Sequence, residues 1–393
     1  MSRRARLLAG AGALLLAAGA WAAVSGWPTG TGAGGPDEVQ ASLAVSAALG
    51  AGDLAGYARA MAPRPFVFPV DAGPHPDFRT EWWYYTGNLE AADGRHFGFQ
   101  LTFFRTALAP PGSAAPRASA WAARQLYLAH FALTDTAGRR FQAWSRLGRE
   151  ALGLAGAHAA PFRVWVDDWS AEGQGGGSDL TVRLHAAEGE AAIDLVLGSE
   201  KPPALQGDRG WSRKGPEPGN ASYYYSLSRM RARGTVRAAG APVAVSGLAW
   251  MDREWSTSAL GPELVGWDWV AVQLDDGRDL MVYRLRRRDG TADPQSAGAV
   301  IGADGATRPL GAAEVSLDAL SHWTSPRSGV RYPSRWRLAV PSAQLALELT
   351  PRLPDQELLV GTRYWEGAVR VEGTAGGRPV AGRGYVELVG YGE

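Results

Sequence analysis

Across 393 residues the chain carries 40 basic and 39 acidic side chains, so its net charge of +1 gives no support to a nucleic-acid or anionic-surface partner. It has no cysteine, which excludes disulfides, thiol nucleophiles and cysteine metal sites together. Only Lys201 and Lys214 are lysines and every other basic residue is arginine, so an arginine at any one position is weak evidence for bidentate recognition.

The chain opens with Arg3-Arg4-Ala5-Arg6, an apolar run from Leu7 to Ala20, and Ala20-Trp21-Ala22, which are the positive, apolar and small-residue parts of a secretory signal. Residues 1–24 are therefore expected to be a signal peptide or anchor, and the protein to be exported, secreted or periplasmic. The run is too short and too rich in Ala and Gly for a membrane span. A linker is expected over 25–62. Its Gly30-Thr31-Gly32-Ala33-Gly34-Gly35 has the form G-x-G-x-x-G, but no strand precedes it and a dinucleotide site is rejected. Asp37 and Asp53 stand as N-caps ahead of Val39/Leu43 and Leu54/Tyr57/Met61, which predicts two short helices in this lead.

From Phe66 onward the apolar period is two. Phe97, Phe99, Leu101 and Phe103 alternate with smaller or polar residues, and Gln125 to Leu133 reads as a long strand ending at Thr134-Asp135. Further strands are predicted at 163–166, 180–185, 193–197, 223–228, 235–237 and 243–250, then at 267–274, 279–286, 299–301, 331–340, 345–351, 367–372 and 383–388. Many short strands with few helices predict an all-β sandwich or barrel, and a barrel of eight to ten strands is the size that encloses one apolar ligand.

One aromatic passage is spelled twice. Glu81-Trp82-Trp83-Tyr84-Tyr85-Thr86-Gly87-Asn88-Leu89 returns as Trp267-Asp268-Trp269-Val270-Ala271-Val272-Gln273-Leu274, each followed by a turn and a strand. Pro242-Val243-Ala244 with Gly247-Leu248-Ala249 is echoed by Pro379-Val380-Ala381 with Gly384-Tyr385-Val386. The order is kept, which predicts two related β units, 63–258 and 259–393, with insertions in the first.

His75-Pro76-Asp77-Phe78-Arg79-Thr80-Glu81-Trp82-Trp83-Tyr84-Tyr85-Thr86-Gly87, the strand end His130 to Asp135, Asp252-Arg253-Glu254-Trp255-Ser256, Gly266 to Trp269 and Gly384 to Tyr391 together resemble the AttH/CrtC-like family. The resemblance covers about residues 63 to 393. It implies two tandem lipocalin-like antiparallel barrels, and the element that the family's branches share is a cavity for a long apolar ligand. One branch comprises carotenoid 1,2-hydratases, which work without a redox cofactor. Another comprises exported AttH-type proteins grouped with ABC-transporter components or called secreted hydrolases. Where the hydratase branch reads Asp-His-Asn-Trp, this chain has Asp252-Arg253-Glu254-Trp255, so a water-activating histidine is missing and the match to the exported branch is nearer.

Hydration of an alkene needs a carboxylic acid kept protonated by apolar surroundings, and aromatic faces for the resulting cation. Asp252, Glu254 and Asp268, lying among Trp250, Trp255, Trp267 and Trp269, are the candidate catalytic residues. Trp82, Tyr84, His130, Trp255, Trp267, Trp269, Tyr385 and Glu387 are the candidate ligand-binding residues. Structural readings stand beside these: a salt bridge for Asp252 or Glu254, a paired buried carboxylate for Asp268, a satisfied core histidine for His130. There is no G-x-S-x-G, so a nucleophile-elbow hydrolase has no support. The six histidines include no pair at metal-ligand spacing, and neither metal nor cofactor is expected.

Two functions from different classes follow. The first is an exported carrier that binds an apolar or amphiphilic small molecule, partnered by an ABC-transporter system and meeting the membrane only through an uncleaved N-terminal segment. The alternative is a cofactor-independent enzyme on an apolar substrate: hydratase, isomerase, cyclase or hydrolase.

Overall fold

The computed structural model describes residues 54–112, 123–258 and 260–392. The signal segment and the helix expected at Asp37 lie outside them. Among the described residues there is no α-helix, only single 3₁₀ turns. The helix expected after Asp53 does not form in residues 54–61. Gly56 takes a positive φ of 81° there, and neighbouring backbone groups are drawn into long-range bonds, with the Ala58 amide donating to Asp77 and the Ala60 carbonyl accepting from Trp211. Two prolines, Pro63 and Pro65, then hold the chain extended.

The remainder is two antiparallel sheets. The first comprises β1 (Thr80–Ala91), β2 (His96–Ala107), β3 (Gln125–Asp135), β4 (Arg140–Arg149), β5 (Ala155–Ala159), β6 (Phe162–Val166), β7 (Trp169–Gln174), β8 (Thr181–Glu188), β9 (Ala191–Ser199), β10 (Ala204–Leu205), β11 (Trp211–Arg213), β12 (Ala221–Arg237) and β13 (Val243–Ser256). The second comprises β14 (Leu264–Leu274), β15 (Asp279–Arg287), β16 (Ala297–Ile301), β17 (Thr307–Gly311), β18 (Ser316–Thr324), β19 (Arg331–Val340), β20 (Leu345–Pro351), β21 (Glu357–Leu359), β22 (Arg363–Ala375) and β23 (Arg378–Val389). Both belong to one compact unit.

The strand orders are β4-β3-β2-β1-β13-β12-β9-β8-β7-β6-β5 and β17-β16-β15-β14-β23-β22-β20-β19-β18. Each sheet pairs its first strand with its last, so the repeated passages lie at the sheet centres. The first sheet is the longer one, as the extra residues between its markers require. It curls until Phe131 of β3 packs edge-on against Trp169 of β7, ring centroids 5.7 Å apart. The two strands expected over 223–237 are one strand, β12, whose bulge between Leu227 and Met230 turns Arg229 toward Asp279 of the other sheet, 2.6 Å away.

Register gives the two repeated passages equivalent places and corrects the second echo. Asn88 faces Leu248 across β1–β13, and Gln273 faces Arg383 across β14–β23. Gly247 is therefore equivalent to Gly382, two residues before the Gly384 with which the sequence aligns it. A Cβ on either glycine would collide with a carbonyl oxygen of the partner strand, of Asn88 or of Gln273. The same register makes Trp82 and Tyr84 equivalent to Trp267 and Trp269, and Asp252 equivalent to Glu387.

Fully buried tryptophans fill both barrel interiors, Trp83, Trp169 and Trp255 in the first and Trp336 and Trp365 in the second. A third apolar cluster combines Tyr84, Tyr224 and Trp250 of the first sheet with Trp269, Met281 and Tyr385 of the second. β1 is buried on both faces because one meets the first interior and the other meets the second sheet. That is why its sequence is aromatic without alternation.

Candidate functional site

Alternation along β1 sends Trp83 and Tyr85 into the first barrel and Trp82 and Tyr84 toward the second sheet. On β13, Asp252 stands opposite Tyr84 and Glu254 opposite Trp82, so both carboxylates share the outward face. On the other side, Glu387 of β23 stands opposite Trp269 of β14. These faces enclose a cavity of about 140 Å³ between the sheets. Its walls are largely aromatic: Trp82, Tyr84 and Tyr224 from one sheet, Trp267, Trp269 and Tyr283 from the other. Leu260 and Ser258 of the linker between β13 and β14 also face it. The cavity lies outside both barrels, whose interiors are filled by side chains, so a barrel that encloses a ligand is not what the chain forms.

Asp252 is 3% exposed. Tyr224 Oη donates to its Oδ2 at 2.6 Å, and Ser226 Oγ and Trp250 Nε1 donate to its Oδ1 at 2.6 and 2.7 Å. All three donors are neutral. Burial pushes its carboxyl up to about 7, the hydrogen bonds work against that rise, and the charge of Glu254 adds to it. Glu387 accepts one hydrogen bond, from Trp267 Nε1 at 2.8 Å. Burial pushes it up to about 7 as well, with Asp252 and Glu254 adding repulsion against the Trp267 hydrogen bond. Glu254 has a different environment, since Lys214 Nζ lies 3.2 Å from its Oε1. Although burial works against the ammonium, Glu254 and Tyr283 hold Lys214 above its ordinary value.

Seven of the sequence candidates line this cavity: Trp82, Tyr84, Asp252, Glu254, Trp267, Trp269 and Glu387. Four do not. Asp268 is fully buried on the opposite face of β14, as it must be when Trp267 and Trp269 face the cavity. There it meets Arg284 at 2.5 Å, Arg286 at 3.1 Å and Tyr391 Oη at 2.8 Å. It is the paired buried carboxylate of the structural reading and does not line the cavity. Trp255 alternates with Glu254 and so lies in the first core, stacked on His75 with centroids 3.7 Å apart. His130 is buried behind the wall, its Nδ1 2.7 Å from Tyr364 Oη. Burial pushes its imidazole down to about 3, so it stays neutral. Tyr385 belongs to the packed cluster between the sheets rather than to the cavity lining.

Sequence reasoning missed Lys214, Tyr224 and Tyr283, while Trp365-Glu366 already reads as a carboxylate beside an aromatic. Tyr224 could be read from period two in Ser222-Tyr223-Tyr224-Tyr225-Ser226, whereas Lys214 follows β11 in an irregular segment with no periodicity to orient it. Glu366 of β22 is the cross-strand neighbour of Glu387 and is completely buried. Neither of its oxygens meets a donor in bonding geometry. Burial raises its carboxyl well above the usual range and the charge of Glu387 adds to that, while the nearby Tyr84 and Tyr364 hydroxyls offset part.

A family model described as AttH-like matches residues 59–391. The chain belongs to the AttH-like family. Among solved structures, it is similar to an AttH protein from Nitrosomonas europaea with 37% identity and a TM-score of 0.73, over 85% of this chain and 99% of that one. A kievitone hydratase from Nectria haematococca has 16% identity and a TM-score of 0.64, over 86% and 98%. CghA has 18% identity and a TM-score of 0.51, over 86% and 97%. The last two share the fold, two lipocalin-like barrels in tandem, and leave the chemistry to be read from the residues of this chain. No curated protein matches the sequence.

Proposed function

We propose that this AttH-like protein is a cofactor-independent acid–base enzyme that adds water to a carbon–carbon double bond of a largely apolar small molecule held between its barrels. One observation carries the reading: Asp252 and Glu387, equivalent residues of the two repeats, face one aromatic cavity, accept hydrogen bonds only from neutral donors and are pushed up to about 7. A carrier of apolar ligands gains nothing from two such groups. A pair that divides protonated and ionised roles near neutral pH is what acid–base catalysis requires.

In the proposed reaction the protonated carboxyl gives its proton to one alkene carbon. The ionised carboxylate takes a proton from the water whose oxygen bonds to the other carbon. One π bond is exchanged for a C–H and a C–O bond, and proton exchange between the carboxyls resets the site. The missing histidine of the hydratase pattern is thereby replaced by a second carboxylate, contributed by the other barrel. The aromatic walls exclude bulk water and offer their faces to positive charge on carbon. Export through residues 1–24 and work beside an ABC-transporter system complete the proposal, on the strength of the N-terminal sequence and the family resemblance.

The test incubates the protein with acyclic polyenes and other unsaturated apolar compounds in isotopically labelled water and reads products by mass spectrometry. The expected product carries one labelled oxygen, and Asp252→Asn and Glu387→Gln each bind the compound without forming it. Wild-type turnover in both variants would sink the assignment.

A further inference from the structure

The cavity that holds Asp252 and Glu387 also holds an ammonium group, which a site for pure hydrocarbon has no use for. Lys214 is one of two lysines in the chain. The other, Lys201, is consumed by structure, its Nζ 2.7 Å from both Asp279 Oδ2 and the Gly277 carbonyl. Lys214 is placed differently. Its backbone amide donates to Asn220 at 2.9 Å, which fixes the root of the side chain at the cavity edge. Its Nζ lies 3.2 Å from Glu254 Oε1, 4.2 Å from the ring centroid of Tyr283 and 5.2 Å from that of Tyr224.

Tyr283 is itself held by a hydrogen bond between its hydroxyl and Ser212 Oγ at 3.0 Å. An ammonium carries three donors, and the Glu254 carboxylate with the Tyr283 hydroxyl leaves one of them over. The side chain keeps 17% of its surface exposed, and it lines the cavity. A hydrocarbon filling that space would strip water from the ammonium and return no acceptor, a costly exchange. The same positive charge favours negative charge on an oxygen beside it.

We propose that Lys214 is a head-group subsite, and that the molecule bound here is an amphiphile whose carbonyl or carboxylate oxygen docks on the ammonium while its apolar body lies along Trp82, Trp267 and Leu260. This names the substrate class of the site proposed above and rests on that reading only for the word substrate. Binding tests it independently of turnover.

The experiment titrates the full chain with three compounds of equal chain length, an alkene, a methyl ketone and a carboxylate, and follows quenching of the cavity tryptophans. The wild type is expected to bind the oxygenated compounds at least about tenfold more tightly than the alkene. Lys214→Met should erase that preference and leave alkene affinity within about twofold. Glu254→Gln, which frees the ammonium from its partner, should strengthen the carboxylate preference. It also keeps the test decisive if the methionine variant fails to fold. Separation of ketone from carboxylate in the wild type tells which oxygen the subsite takes.

Equal affinities for all three compounds, or a ranking that neither variant changes, would overturn the proposal and leave Lys214–Glu254 a structural pair. If the head-group ranking holds but Asp252→Asn turns over normally, only the catalytic reading falls. If Asp252→Asn is inactive and the ranking is absent, only the head-group assignment falls.

Discussion

Glu81 and Asp252 lie on adjacent paired strands, 0% and 3% exposed, yet their environments move them in opposite directions. Glu81 faces the first barrel and is gripped by Arg105, Arg253 and His75. Burial raises its carboxyl, but the two arginines and His75 outweigh it and hold the group well below the carboxylate range. Asp252 faces the cavity and has only Tyr224, Ser226 and Trp250. Burial alone therefore does not decide the charge of a carboxylate; the nearest cation does. The fold supplies arginines to the structural acids, Glu81 and Asp268, and none to the pair that faces the cavity.

The largest expected effect breaks the cavity side of this contrast. Asp252→Asn or Glu387→Gln should lower turnover by about 10²- to 10⁴-fold while leaving the fold and ligand binding intact. Steady-state kinetics beside circular dichroism and a binding titration checks it. On the structural side, Glu81→Gln leaves Arg105 and Arg253 buried without their counter-charge and should destabilise the protein by about 3 to 5 kcal/mol. Urea denaturation measures that loss. A fully stable Glu81→Gln variant would refute the division between structural and reactive acids.

Much of this division was legible as alternation. Period two places Trp82 with Tyr84 and Asp252 with Glu254, and both groupings hold. It equally implies that Asp268 cannot share a face with Trp267 and Trp269, although nearness in sequence to tryptophan suggested a common site. What alternation cannot supply is which face meets the other barrel, because that depends on non-local register. Asp252 and Glu387 converge because each sheet joins its first strand to its last, a pairing between segments far apart in the chain. The aromatic richness was also ambiguous, since tryptophans that pack a barrel interior and tryptophans that line a cavity read alike. Lys214 had rarity as its one signal.

The contrast sharpens with pH. Because the folded state holds Asp252 above its unfolded value of roughly 4, its stabilising contribution is complete in acid and is lost as pH rises through about 7. Glu81 has the opposite sign: its contribution is present above an unfolded value of roughly 4 and lost as pH falls. Relative to the wild type, Asp252→Asn should therefore gain about 4 kcal/mol between pH 4 and 8. Denaturation midpoints across that range measure it, and a constant difference would mean that Asp252 does not titrate there.

The smallest effect isolates a single hydrogen bond. Tyr224 Oη donates to Asp252 Oδ2 at 2.6 Å and accepts from Trp269 Nε1 at 3.2 Å, so it joins the acid of one repeat to an aromatic wall of the other. A hydroxyl that donates to a carboxylate favours the ionised form, and its loss in Tyr224→Phe leaves burial less opposed. The limb of the pH–rate profile governed by Asp252 should move upward by about half to one unit, while the maximal rate falls less than about tenfold. Ser226 and Trp250 still donate to Oδ1, which is why the shift is small. If neither limb moves, both belong to groups that Tyr224 does not touch, with Glu387 the first to examine. A downward shift would mean that the phenol stabilises the protonated acid instead, and Asp252 would have to be the proton donor whose hydroxyl Tyr224 accepts.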